Sequence, residues 1–356
     1  MTSRRRFLVL AGTVLALCVT TGVQLVTPAA SLPARLSDRE FWRLVTESSE
    51  ADGYFRSDNL LSNELGFQYV IPELTRTATP GRVYMGVGPE QNFTYIVATR
   101  PAMVFIVDVR RGNLDLHLMY KALFELSADR ADFVSRLFSK KRPDGLSMKS
   151  SVGDIFGAFA AVPASSLLFT ENLKAIDNLL VNKHALALSK EDLEGIRYAY
   201  NAFYSFGQQI QYSSTSSFGG SFQPDYAELM TASDLKGVAR SYLATEDNFK
   251  FMKDLESRNL LVPVVGNFGG PKAIRAVGRY LKERNATVSA FYLSNVEQYL
   301  RQEGIWDNFC ANVAALPLDD TSTFIRSVRR SGGSAPGFGL TSELGSIITD
   351  VQSCRP

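Results

Sequence analysis

Four runs of the sequence are apolar almost without interruption: residues 83–87, 102–108, 260–266 and 287–293. A strand with one face in water alternates apolar and polar side chains, whereas a strand covered on both faces does not. These runs are too short for core helices. The stretches between them carry helical spacing, for example Phe93, Ile96 and Val97 in the Pro89–Arg100 segment that Pro101 stops. Strands apolar on both faces and alternating with helices predict an α/β fold, a doubly wound and mostly parallel sheet with the four runs adjacent. Pro263 has no N–H for a ladder, so the third run is expected at an edge or a bulge.

The remaining segments fill out one domain over residues 36–330. Residues 36–80 read as a helical lead-in that begins near Asp38 and ends at the turn Thr79-Pro-Gly81. Residues 114–206 are mostly helical in pattern and too long for one crossover, which predicts a large helical insertion. Gln209-Ile-Gln-Tyr-Ser-Ser214 reads as a short strand, Asp225–Asn259 and Pro271–Glu283 as helix, and Thr323–Val328 as a closing strand. Residues 331–356 open with Ser331-Gly-Gly-Ser-Ala-Pro-Gly-Phe-Gly339 and are expected to be a flexible tail before a short last helix.

The N-terminus carries an export pattern. Ser3-Arg-Arg-Arg-Phe-Leu8 resembles a twin-arginine signal, an apolar run from Phe7 to Val26 follows, and Thr27-Pro-Ala-Ala30 supplies small residues for cleavage. Residues 1–35 are thus expected to be a signal peptide or an uncleaved membrane anchor, with the domain periplasmic or held on the outer side of the inner membrane. A membrane contact through this segment is expected only if it stays uncleaved. In an oxidising compartment the remaining cysteines, Cys310 and Cys354, are candidates for a disulfide; two free thiols are the other reading. The net charge of +2 makes no electrostatic case for nucleic acid, and His117, His184 and the cysteines lack zinc-site spacing, so no metal is expected.

One turn carries the most chemistry. In Val83-Tyr-Met-Gly-Val-Gly-Pro-Glu-Gln-Asn-Phe-Thr-Tyr-Ile96, Gly86 and Gly88 let the backbone turn sharply and approach a ligand, and Pro89 suits the first helical position. Asp108 lies at the end of the next strand, where a carboxylate accepts the hydroxyls of a ribose. Gln91 stands where a third glycine would admit a pyrophosphate, and Glu90 adds negative charge that disfavours phosphate and would welcome a sulfonium or amine. A ligand with ribose and without phosphate meets neither objection.

Strand, glycine turn, helix, strand and acid follow one another over about residues 80–110 as in class I S-adenosylmethionine-dependent methyltransferases, which this part of the chain resembles. The resemblance implies a Rossmann-like fold and S-adenosylmethionine as cofactor. Tyr84 departs from it, since an acid is usual two residues before the first glycine. Gly266-Asn-Phe-Gly-Gly-Pro271 loosely matches the place of an Asn-Pro-Pro-Tyr-like segment, which makes Asn267 a binding candidate. The segments Gly86-Val-Gly-Pro-Glu-Gln-Asn-Phe-Thr-Tyr-Ile96, Asp108-Val-Arg-Arg111, His117-Leu-Met-Tyr-Lys-Ala-Leu-Phe-Glu125 and Ala290-Phe-Tyr-Leu-Ser-Asn-Val-Glu-Gln-Tyr-Leu300 are similar to those of an uncharacterised bacterial family. That similarity spans most of the chain after residue 50, implies a methyltransferase-like fold, and supplies no activity.

Other candidates have two readings each. Arg110 and Arg111 either grip a ligand carboxylate or phosphate or pair with Asp108 or Asp115. His117 is a general-base candidate or a structural histidine. Asn295 is a site residue or an N-cap, and Glu297 orients an amine or favours a helix dipole. His184 is expected in an exposed loop or helix end, and Asp234 as an N-cap acid. Export and methyl transfer conflict, because S-adenosylmethionine is made in the cytoplasm. The chain is therefore either an enzyme using this or another adenosine-like or polyhydroxylated ligand, or a non-catalytic binding or interaction protein that kept the fold.

Overall fold

The computed structural model describes residues 31–213, 223–329 and 340–353. The export segment up to residue 30 lies outside them. The fold is α/β, with about half of the described residues helical. Among the described residues six strands form one sheet: β1 Val83–Gly86, β2 Met103–Asp108, β3 Leu261–Val265, β4 Val288–Ser294, β5 Thr323–Arg329 and β6 Leu340–Ser346. Their order is β3-β2-β1-β4-β5-β6. The first five are parallel, and β6 joins β5 antiparallel. The expected adjacency and direction of the four apolar runs are thus observed.

Burial explains the runs. Every residue of β1, β2 and β3 is buried, as is all of β4 before Ser294. Pro263 sits on the outermost strand opposite Ile106, as a missing N–H requires. The free side of β3 is covered by the end of helix α1 (Asp38–Ser48): Glu50 N donates to Val265 O at 2.8 Å, and Val265 N donates to Ser49 Oγ at 3.0 Å. Helix α1 itself starts on a capping box between Ser37 and Glu40.

After α2 (Ile71–Thr77) and β1, helix α3 (Gln91–Thr99) leads to β2. Helix α4 (Arg111–Leu126) then packs on β2 and β3. It is buried on all sides from Asn113 to Phe124, because α5 (Arg130–Leu137), α6 (Val152–Ala160), α7 (Ser166–Asp177), α8 (Lys190–Phe206), α9 (Tyr226–Thr231) and α10 (Glu246–Ser257) form a helical cap whose α5, α7, α8 and α10 contact it. The insertion therefore begins after α4, which is the crossover helix, and not at Leu114. Aromatic rings weld the cap to the crossover: Phe124 lies 4.7 Å from Phe133 and 5.6 Å from Phe249, and Phe93 lies 5.1 Å from Tyr120 between centroids. Such pairs contribute about 0.5–1.5 kcal/mol each beyond their burial.

The chain returns through β3, α11 (Ala273–Lys282), β4, α12 (Val296–Gln302), α13 (Trp306–Ala314), β5, β6 and α14 (Ile347–Ser353). Two expectations are corrected. Residues 207–209 are a 3-10 turn and 210–213 are not a strand; Leu60 N donates to Tyr212 O and holds this segment as a loop. Residues 340–346 are not a flexible tail, because β6 pairs with β5 over seven residues, while the expected short last helix is α14, which packs on α13. Among the described residues no helix is long and apolar enough to cross a membrane.

Candidate functional site

The chain reverses across the sheet between β1 and β4, which are neighbours although β2 and β3 lie between them in sequence. At the carboxyl ends of β1 to β4 lies a cavity of about 720 Å³. Val87–Pro89 and Gln91, Asp108–Arg110, Gly266–Phe268 and Tyr292 with Ser294–Val296 line it, so the ends of all four strands converge. The irregular strap of residues 53–64 completes the wall.

The glycine turn faces two ways. Gly86 is not in the lining: a Cβ there would sit 1.9 Å from Asn92 Oδ1, so this glycine makes room for an internal brace. Asn92 Nδ2 donates to Val87 O and Pro89 O, both at 2.8 Å, and its Oδ1 accepts from Tyr84 OH at 2.9 Å. Gly88 does line the cavity, with φ at +76° and open space where a Cβ would be.

His117 stands behind the turn. Its Nε2 donates to Gly88 O at 2.9 Å, its Nδ1 is buried without a partner, and its ring packs edge-on to Phe93. Burial lowers its pKa to about 4, so it is a neutral structural histidine and no base in the cavity. Glu90 is also corrected. Its side chain is fully buried away from the cavity, Oε1 accepts from Ser62 N at 3.3 Å, and burial pushes its carboxyl up to about 8. It presents no charge at the mouth.

Asp108 and Arg110 pair with each other. Arg110 Nε donates to Asp108 Oδ1 at 3.0 Å and Nη2 to Oδ2 at 3.1 Å, while Nη1 reaches the carbonyls of Ser57 and Asp58. Both carboxylate oxygens are engaged, and the pair fastens the strap to β2. Arg111 pairs with Asp192 at 2.7 Å and 2.9 Å. Asp115 forms no ion pair among the described residues and lies beside Asp192, and burial followed by that like charge pushes it up to about 8.

Asn267 lines the cavity, with Oδ1 accepting from Gly269 N at 2.9 Å. Glu50 fills the anion position next to it, accepting from the N–H groups of Lys272 and Ala273 at 2.8 Å each at the start of α11. Asn295 holds the N-cap position of α12 without a side-chain cap bond and lines the cavity. Glu297 points elsewhere, bonded to Arg326 at 2.7 Å and 3.2 Å. His184 is buried between Asp38 at 2.8 Å and Glu125 at 3.0 Å, contrary to the exposed position expected. Asp234 is no N-cap; it accepts from Lys236 N and Val238 N in a loop and pairs with Arg240.

The residue that sequence reasoning missed is Glu64. It is 2% exposed and lines the cavity. Tyr292 OH and Ser294 Oγ donate to its Oε1 at 2.8 Å and 3.0 Å, and Gln91 Nε2 donates to its Oε2 at 3.0 Å. Gln91 is positioned in turn by the Ser62 hydroxyl and by Tyr95 OH at 3.2 Å. Ser294 adopts φ +51°, an unfavourable backbone for serine, at the strand end. One signal was available: Tyr292 and Ser294 are two apart on a strand and share a face. The cavity thus offers a carboxylate, two hydroxyls and the amides of Gln91 and Asn295, a set for hydrogen-bonded recognition of a polar molecule. Among the described residues no group of three or more His, Cys, Asp or Glu is placed to hold a metal ion.

No curated protein matches the chain. A family described as a domain of unknown function, DUF7790, matches residues 60–148 and 165–346, which include the glycine turn, Asp108, Glu64 and the ends of β3 and β4; the chain belongs to this family.

Proposed function

We propose that this chain is an exported protein with a doubly wound, Rossmann-like sheet whose cavity binds an adenosine-like or other polyhydroxylated small molecule without phosphate. The observation that carries the reading is the convergence of four strand ends on one cavity beside the β1/β4 reversal, where open α/β sheets take their ligands. The strand order supports the doubly wound arrangement. The charges argue against phosphate: Arg110 and Asp108 neutralise each other, and the other lining arginine, Arg56, is outnumbered by Glu64 and Glu303.

S-adenosylmethionine-dependent methyl transfer is the second reading. It is favoured by Gly88 and Asp108 standing at the ends of adjacent parallel strands. Non-catalytic binding is favoured over it because His117, the general-base candidate, and Glu297, the candidate for orienting an amine, both lie off the cavity. Calorimetry of the purified chain against adenosine, S-adenosylmethionine, S-adenosylhomocysteine, simple sugars and NAD tests the reading. Binding of an unphosphorylated member and not of NAD is expected, weakened about 0.5–1.5 kcal/mol by Asn295→Ala for one lost hydrogen bond. Millimolar or weaker binding by all of them overturns it. Cell fractionation separates the two readings: a wholly cytosolic protein removes the export proposal and restores methyl transfer.

A further inference from the structure

Seven aspartate and glutamate residues are buried among the described residues, and six have an evident answer to the penalty of burying charge. Asp108, Asp192 and Asp234 are ion-paired with Arg110, Arg111 and Arg240. Burial raises Glu90, Asp115 and Glu256 to about 8, so each keeps its proton at neutral pH. Glu64 is the seventh. Three neutral donors converge on it, from Gln91, Tyr292 and Ser294, which is how an ionised carboxylate is held. Among the described residues no lysine, arginine or histidine lies within ion-pair distance of it.

A carboxylate has roughly four acceptor positions, and the three donors leave one open. Glu64 lines the cavity, so the missing counter-charge has a place from which to come. We propose that the ligand of this cavity is an organic cation, bearing an ammonium or sulfonium group that pairs with Glu64. This rests on the reading of the cavity as a small-molecule site and narrows its ligand class. Gln91, Tyr292 and Ser294 are then positioning residues. They keep the carboxylate in one orientation, so that the ligand's charge meets a fixed acceptor and does not have to order it.

Ligand pairs that differ in one charged group test this. Calorimetry of the full chain compares adenosine with 5′-amino-5′-deoxyadenosine, and glucose with glucosamine, at a pH where the amines are protonated. The cationic member of a pair is expected to bind roughly ten- to a hundredfold tighter, the span of one charge-assisted hydrogen bond. The advantage is expected to fall as the amine is titrated to neutral, a measurement on the wild-type chain that stands even if a variant folds poorly. In Glu64→Gln the two members are expected to converge. S-adenosylmethionine against S-adenosylhomocysteine is the sulfonium arm. Equal binding within each pair overturns the cation proposal and leaves the small-molecule reading standing. A cation preference that persists in Glu64→Gln overturns the assignment to Glu64. Binding of no member removes the small-molecule reading and this inference with it.

Discussion

Gly86 and Gly88 lie in one turn yet answer to different constraints. Gly86→Ala places a methyl group 1.9 Å from Asn92 Oδ1 and breaks the brace that holds three carbonyls of the turn. It is expected to destabilise the fold by about 1–3 kcal/mol, the range for overpacking. Gly88→Ala meets nothing within 4 Å, so its penalty is the left-handed backbone alone, roughly 1–2 kcal/mol. Gly88→Asn, which tolerates that backbone better, should recover part of it. Denaturant unfolding of the three variants checks this, and a Gly86→Ala protein as stable as wild type contradicts the brace. Asp108 belongs to the same lesson. Asp108→Ala leaves Arg110 buried without its partner and is expected to lower stability by about 3–5 kcal/mol, so weaker ligand binding in that variant does not report a lost diol contact.

Among the elements, β6 and α14 alter the picture most. The antiparallel β6 covers what would otherwise be the open edge of β5, and Arg326 on β5 binds Glu297 of α12 and Asp350 of α14 together. Cys310 on α13 is 4% exposed and disulfide-bonded. Cys354 lies outside the described residues, one position after α14. Peptide mass spectrometry of non-reduced exported protein is expected to find Cys310 linked to Cys354, and reduction to remove about 2–4 kcal/mol of stability. Ready alkylation of both thiols in the native protein contradicts that pairing.

For the whole molecule, the buried acids set a pH dependence. Glu90 and Glu256 rise from 4.5 to about 8 on folding. Between those values the unfolded chain has lost protons that the native state keeps, so stability falls as pH rises, by at most about 1.4 kcal/mol per pH unit for each group. His117 acts oppositely at lower pH: its fall from 6.5 to about 4 removes stability as pH drops through that window. From pH 6.5 to 8 only the carboxyl effect remains of the two. Urea unfolding is expected to show declining stability over that interval, with a shallower decline in Glu90→Gln and in Glu256→Gln. A flat or rising profile contradicts the buried neutral acids.

Burial of β1 to β4 was legible in the residues themselves, because a strand covered on both faces cannot alternate, and adjacency followed from the helices between. The convergence of the carboxyl ends of these strands follows from the same pattern, since parallel strands present their carboxyl ends together. Partners were legible only as alternatives. The residues allowed Arg110 to grip a ligand or to pair with Asp108, and His117 to be a base or a structural histidine; the contacts select the second of each. Glu297 looks equivalent to Asn295 two residues earlier, yet just over half a helical turn sends it to Arg326. Glu64 sits in an irregular strap with no period to mark it, 228 residues from the Tyr292 hydroxyl that orients it. Periodicity reports how much of a side chain is covered. Which charge neutralises which depends on contacts between distant segments, and those exist only once the chain has closed around the sheet.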